Sequence, residues 1–230
     1  MDYRNAVEAL CKSETFQKEI RDYDRASKRL VMRLSSPETN RERLEQLVHV
    51  PFLDLALSFA LEVDEMEGVS GLVHVTKSLA EHWGMSPEQL YADARRNALR
   101  LDRYMVKDFG TMVKSMVDQP ELLPEFIGTT VAGKNLSMYV VTDQSNRNGS
   151  MALTVKEVWN WISQILGKNL IILPSSVNEL IILADSGEQD YQWLKSVVRD
   201  VNDSYVPKNE ILSYSVYHYS KVEDRVSIAA

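Results

Sequence analysis

Ser175 and Ser176 stand together in the stretch Pro174-Ser175-Ser176-Val177-Asn178-Glu179. A serine held in a tight turn beside a carboxylate is a starting point for nucleophilic chemistry. Such a nucleophile needs a base within hydrogen-bond reach, and no Gly-x-Ser-x-Gly elbow surrounds these residues. The other use of the same side chains is structural, because Ser and Asn between strands satisfy turn backbone with their own oxygens. The turn therefore carries two readings: a recognition surface formed with the neighbouring loop 143–149, with Asp143, Ser175, Ser176, Asn178 and Glu179 as binding residues, or a hydrolase or transferase using one of its serines.

A second pattern, Gly128-Thr-Thr-Val-Ala-Gly133-Lys134, matches the first seven positions of a phosphate-binding loop. Its glycines would let backbone N–H groups wrap phosphates and its lysine would reach them. Asn135 stands where Ser or Thr would ligate magnesium, and the following residues read as a strand where that motif requires a helix. The histidines His49, His74, His82 and His218 are scattered, and His74 with His82 alone would not supply the three or four ligands of a zinc site. Asp64, Glu65 and Glu67 lack the alternating spacing of a calcium loop. Cys11 has no catalytic surroundings in sequence. No cofactor, metal or assembled catalytic set is expected.

Elements must position these residues. Ile171, Ile172 and Leu173, then Leu180 to Leu183, are two β-prone apolar runs one turn apart and predict a buried hairpin broken at Pro174. Arg29 to Leu34 reads as a strand and 37–48 as a helix started by Pro37. From 53 to 63 every odd position is apolar, which fits a strand with one buried face, and 71–76 is its partner. Ser86-Pro87-Glu88-Gln89 is a capping box with proline at the first helical position. Met105, Phe109, Met112, Val113 and Met116 share a helical face suited to core packing. A strand is expected over 137–142, a turn through 146–149, a short strand to 153, and a helix capped by Thr154 and Glu157 and closed by Gly167. Leu194, Val197, Val198 and Val201 mark a further helix. Alternation through Leu212, Tyr214, Val216 and His218 predicts a strand, and 226–228 a last one. Tyr205, Tyr214, Tyr217 and Tyr219 suit strands or an interface. A strand-then-helix echo, 71–76 with Trp83 and 149–154 with Trp159, raises the prospect of two similar halves.

The run Met138-Tyr139-Val140-Val141-Thr142, Gly149 with its apolar stretch, and Leu173-Pro174-Ser175-Ser176-Val177 resemble an uncharacterised family, catalogued as domain of unknown function 5688 and found mainly in gut and other anaerobic Firmicutes. Residues 29–34, 51–59 and Trp83-Gly84-Met85-Ser86 fit the same pattern, and the resemblance spans about 28–220. Typical members of that family carry a longer N-terminal region, and many have His where this chain has Asn178. The resemblance implies a bacterial protein and brings no activity, substrate or cofactor with it.

Composition narrows the classes. A net charge of −7 disfavours a nucleic-acid binder, which displaces counterions with a basic surface, and disfavours docking on anionic lipid. No run approaches a membrane span, one cysteine forms no internal disulfide, and the first residues lack a secretory pattern. The expected fold is α+β, antiparallel strand pairs with helices packed on one face. Residues 1–27 would be a helical lead-in and 28–230 one domain, with 28–117 and 137–230 as sub-halves. The expected function is a cytoplasmic interaction or ligand-sensing protein with a protein or small-molecule partner, without nucleic acid or membrane.

Overall fold

The alternation centred on residues 55–63 becomes a twelve-residue strand in a computed structural model of the chain, which describes residues 13–66, 69–100, 103–115, 130–131, 134–135 and 137–230. The fold is α+β, with every sheet among the described residues antiparallel. The chain divides into two compact units, Met1–Arg100 and Leu101–Ala230.

In the N-terminal unit, helices α1 (Glu14–Arg21) and α2 (Tyr23–Ala26) lead to strand β1 (Leu30–Ser35), a single turn α3 (Arg41–Leu44), β2 (His49–Phe52), β3 (Leu55–Met66) and β4 (Val69–His74). β3 is the centre of this sheet. β1 lies along one of its edges, while β2 and then β4 share the other. Leu30, Met32 and Leu34 with Leu57, Phe59 and Leu61 fill one face at 2% exposure or less. Helix α4 (Lys77–Trp83) follows, and α5 (Pro87–Ala98) lays Leu90, Ala94 and Ala98, spaced four apart, toward β1 and β3. Full burial of Leu90 contributes roughly 2 kcal/mol. The helix start is the predicted capping box: Ser86 Oγ accepts from Gln89 N and Gln89 Oε1 accepts from Ser86 N. Asn97 Nδ2 donates to the carbonyls of Ser27 and Leu30 at 2.7 and 2.8 Å, fastening the helix to the start of β1.

The C-terminal unit is built on a six-stranded sheet. β5 (Tyr104–Asp108) precedes α6 (Phe109–Ser115), a small hairpin of β6 (Thr130–Val131) and β7 (Lys134–Asn135) stands apart, and β8 (Met138–Asp143) follows. A 3₁₀ turn (Gly149–Thr154) and α7 (Lys156–Leu166) precede the hairpin of β9 (Leu170–Pro174) and β10 (Glu179–Ala184). Then come α8 (Tyr191–Tyr205), β11 (Tyr217–Ser220) and β12 (Arg225–Ile228). The strand order is β12-β11-β9-β10-β8-β5. On one face Ile171, Leu173 and Leu183 pack with Leu194 and Val198 of α8. Leu170, Ile172, Leu180 and Ile182, which alternate with them, are at 0% exposure, so the hairpin is buried on both faces.

Several local expectations change. The helix expected over 37–48 is only Arg41–Leu44, because Val48 N donates to Val75 O and Leu47 bridges to Thr76. The strand over 53–63 buries Ala56, Ser58 and Ala60 as well as its leucines. Met105 lies on β5, opposite Thr142, and the helix begins only at Phe109, where Asp108 Oδ1 accepts from Thr111 N. Met116 lies outside the described residues.

The strand expected from 149 to 153 is a 3₁₀ turn, since β8 already has β5 and β10 on its two edges and leaves no ladder to join. The echo between 71–76 and 149–154 thus joins segments of different conformation. Thr154 does not cap α7: its hydroxyl donates back to Met151 O at 2.8 Å, and the cap position falls to Val155. Gly167 does close that helix, at φ 71°. The strand expected through Leu212 and Tyr214 begins only at Tyr217, because the chain bends at Tyr214, where Ser213 Oγ accepts from Ser215 N, and the Ser213 carbonyl receives Asn202 Nδ2 from α8.

Candidate functional site

The C-terminal unit brings together the turn of the β9–β10 hairpin and the loop that follows β8. Asn178 O is the junction, accepting from Gly149 N at 3.0 Å and from Thr142 Oγ1 at 2.9 Å. Ser150 N reaches Val177 O at 3.4 Å. Only glycine fits at 149: an ideal Cβ there would lie 2.3 Å from Asn178 O and 2.5 Å from Thr142 Cα, both backbone atoms.

Asp143 organises the loop from within. It is 4% exposed; its Oδ1 accepts from Arg147 N at 2.9 Å and Asn148 N at 3.0 Å, and its Oδ2 accepts from the Ser145 hydroxyl. The loop then shows Gln144, Ser145, Asn146 and Arg147 on the surface, with Asn146 in the left-handed region at φ 53°. Asn tolerates that conformation better than most residues. Gln144 N also donates to Arg103 O, which ties the loop to the sheet edge.

Within the turn, both serines make local bonds. Ser175 Oγ donates to Glu179 Oε1 at 3.2 Å, and Ser176 Oγ, largely buried, accepts from Asn178 N at 3.1 Å. Asn178 Nδ2 donates to Glu210 Oε2 at 3.3 Å, and Val177 N to Glu210 O at 2.9 Å. Sequence reasoning could name the turn and Asp143, but nothing local in sequence marked Glu210 or Thr142 as partners.

The unit's one histidine is at the other end of the hairpin. His218 pairs with Ile171 across the sheet, and Ser175 lies four residues further, about 13 Å along the strand. There His218 Nε2 is 3.1 Å from Asp185 Oδ2, and Tyr191 OH donates to the same oxygen at 3.0 Å. Burial and the neighbouring Asp185 push the Tyr191 hydroxyl up to about 12. This Asp–His–Tyr group was missed in sequence because its members come from the hairpin's base, α8 and β11.

The other sequence candidates lie elsewhere. Lys134 and Asn135 of the phosphate-loop pattern form β7, while Gly128 and Gly133 fall outside the described residues, as do Cys11 and Glu67. Asp64 and Glu65 continue β3. His82 is exposed on α4, and His74 sits on β4 against Arg43.

His74 has a measurable consequence. Burial, then Arg43 and Arg33, bring its pKa down to about 4 from 6.5. The folded protein then binds fewer protons than the unfolded chain between those values. The contribution of His74 to stability is fully present above pH 6.5 and is lost as the pH drops toward 4, by on the order of 2 to 3 kcal/mol. Urea unfolding of the wild type and His74→Gln at pH 7 and pH 4.5 checks this: the loss on acidification should be smaller in the variant by about that amount.

A family model described as Family of unknown function (DUF5688) matches residues 3–221. Comparison with curated proteins and with solved structures finds no match.

Proposed function

We propose that this chain, which belongs to the Family of unknown function (DUF5688), is a binding protein without turnover. Its recognition surface is the loop 144–147 with Ser175, Asn178 and Glu179; Asp143 and Ser176, also expected among the binding residues, are buried and support it from beneath. The observation that carries this reading is the junction at Asn178 O, which ties the turn to the end of β8 through Thr142 Oγ1 and to the loop through the N–H of Gly149, a position that admits no side chain. A polar surface held this way pays little ordering entropy when a partner docks. Arg147 and Glu179 offer both signs of charge, which suits a polar small molecule or a polar protein surface. In the same reading the protein works in the cytoplasm of a Firmicutes bacterium.

A rival hydrolase reading draws on Ser175 Oγ, 3.2 Å from Glu179 Oε1. A carboxylate is too weak a base to take a serine proton efficiently, and the unit's histidine is at the far end of the hairpin. The two readings separate on a fluorophosphonate probe. The binding reading expects no adduct at Ser175; a stoichiometric adduct that disappears in Glu179→Gln would establish the hydrolase instead.

A further inference from the structure

The face of the N-terminal sheet opposite Leu57, Phe59 and Leu61 gathers basic groups from four parts of the chain. The register places Arg33 of β1 opposite Ser58 of β3, with His49 of β2 opposite Ser58 on its other side. Two residues along β3, and so on the same face, Ala60 pairs with His74 of β4. Arg43 of α3 reaches over and hydrogen-bonds His74 Nε2. Ser58 and Ala60 are small and buried, which leaves the longer side chains around them to define the face.

The hydrogen bond to Arg43 determines where the imidazole proton sits. A guanidinium has donors only, so Nε2 must accept and the neutral ring carries its proton on Nδ1. That Nδ1–H is buried and has no acceptor among the described residues. A buried donor without an acceptor costs about 1 to 3 kcal/mol, so such atoms call for an unseen partner. The charges acting on this ring are the guanidiniums of Arg43 and Arg33, and Arg43 has no carboxylate within ion-pair distance among the described residues. The missing partner is an acceptor, and its surroundings favour negative charge.

We propose that Arg33, Arg43 and His74 bind a tetrahedral oxyanion, a phosphate or the phosphoryl group of a phosphate ester, on this face of the N-terminal sheet. Arg43 and Arg33 supply charge-assisted donors and the His74 Nδ1–H a directed neutral one. Arg43 is exposed, and its guanidinium, with one donor on Nε2, keeps others for the ligand. His49, also exposed, stands at the rim with its Nδ1 3.2 Å from Leu47 O. Glu62, one pair further along the same face, excludes a polyanion that would extend toward it.

The test is a titration of the full chain with inorganic phosphate at pH 7.5 and constant ionic strength, following the imidazole nitrogens by NMR. Methyl phosphate and sulfate run as parallel arms. His74 should shift saturably while exposed His82 does not, and a pH titration at saturating phosphate should move the His74 midpoint up by about one unit, the equivalent of tenfold tighter phosphate binding to the protonated ring. Arg43→Gln, which keeps a hydrogen-bond donor but loses the charge, should weaken binding about tenfold. Equal affinity for methyl phosphate assigns the site to esters as well as free phosphate; binding of phosphate alone restricts it to the free ion. Parallel shifts of His74 and His82, or a His74 Nδ1–H that exchanges magnetisation with a bound water and ignores phosphate, would overturn the proposal.

Discussion

Gly149→Ala is expected to destabilise the C-terminal unit by about 3 kcal/mol and to loosen the loop and the hairpin turn together. The added carbon would meet two backbone atoms, Asn178 O at 2.3 Å and Thr142 Cα at 2.5 Å, and neither can rotate away as a side chain would. The strand end and the turn must therefore separate, which breaks the Gly149 N bond to Asn178 O and strains the one from Thr142 Oγ1. Gly167→Ala is the matched control. Its Cβ meets nothing within 4 Å, so the cost there is only that of φ 71°, about 1 kcal/mol. Denaturant unfolding measures the difference. Amide exchange should show 144–149 and 176–179 both accelerated in the first variant and neither in the second.

Asp143→Ala should cost about 3 kcal/mol, the second large effect. The carboxylate is the acceptor for two backbone N–H groups and a hydroxyl inside a loop where it is itself 4% exposed. Removing it leaves the N–H of Asn148, a buried residue, without that acceptor. Asp143→Asn retains an acceptor oxygen and should cost less than half as much. Thermal unfolding of the two variants beside the wild type checks the order, and equal losses would mean that the charge itself, rather than the acceptor geometry, holds the loop.

Much of the site's scaffold could be read from local pattern. The run Ile171, Ile172, Leu173 and its partner Leu180 to Leu183 could hardly be anything but paired buried strands, and the register Ile181 with Leu173 confirms the hairpin. The Ser86 capping box was equally legible, because both of its hydrogen bonds are local. Met105 was misassigned since helical spacing over a few residues competes with strand propensity, and the pairing with β8 decided it. Gly149 to Thr154 looked like a strand because its apolar content reports burial and not conformation. No sequence feature showed that both edges of β8 were taken. The junction of Gly149 with Asn178 and the gathering of Arg33, Arg43 and His74 depend on long-range register, which single residues do not announce.

The binding surface proposed here is the loop 144–147 together with the hairpin turn. Native mass spectrometry of the protein purified gently from its own host's lysate tests it most directly, with wild type and an Arg147→Ala, Ser175→Ala, Asn178→Ala variant run side by side. A reproducible added mass, of a small molecule or a second chain, is expected on the wild type, and its loss is expected from a variant that melts within a few degrees of the wild type. The same added mass on both proteins would contradict it and move the recognition surface elsewhere.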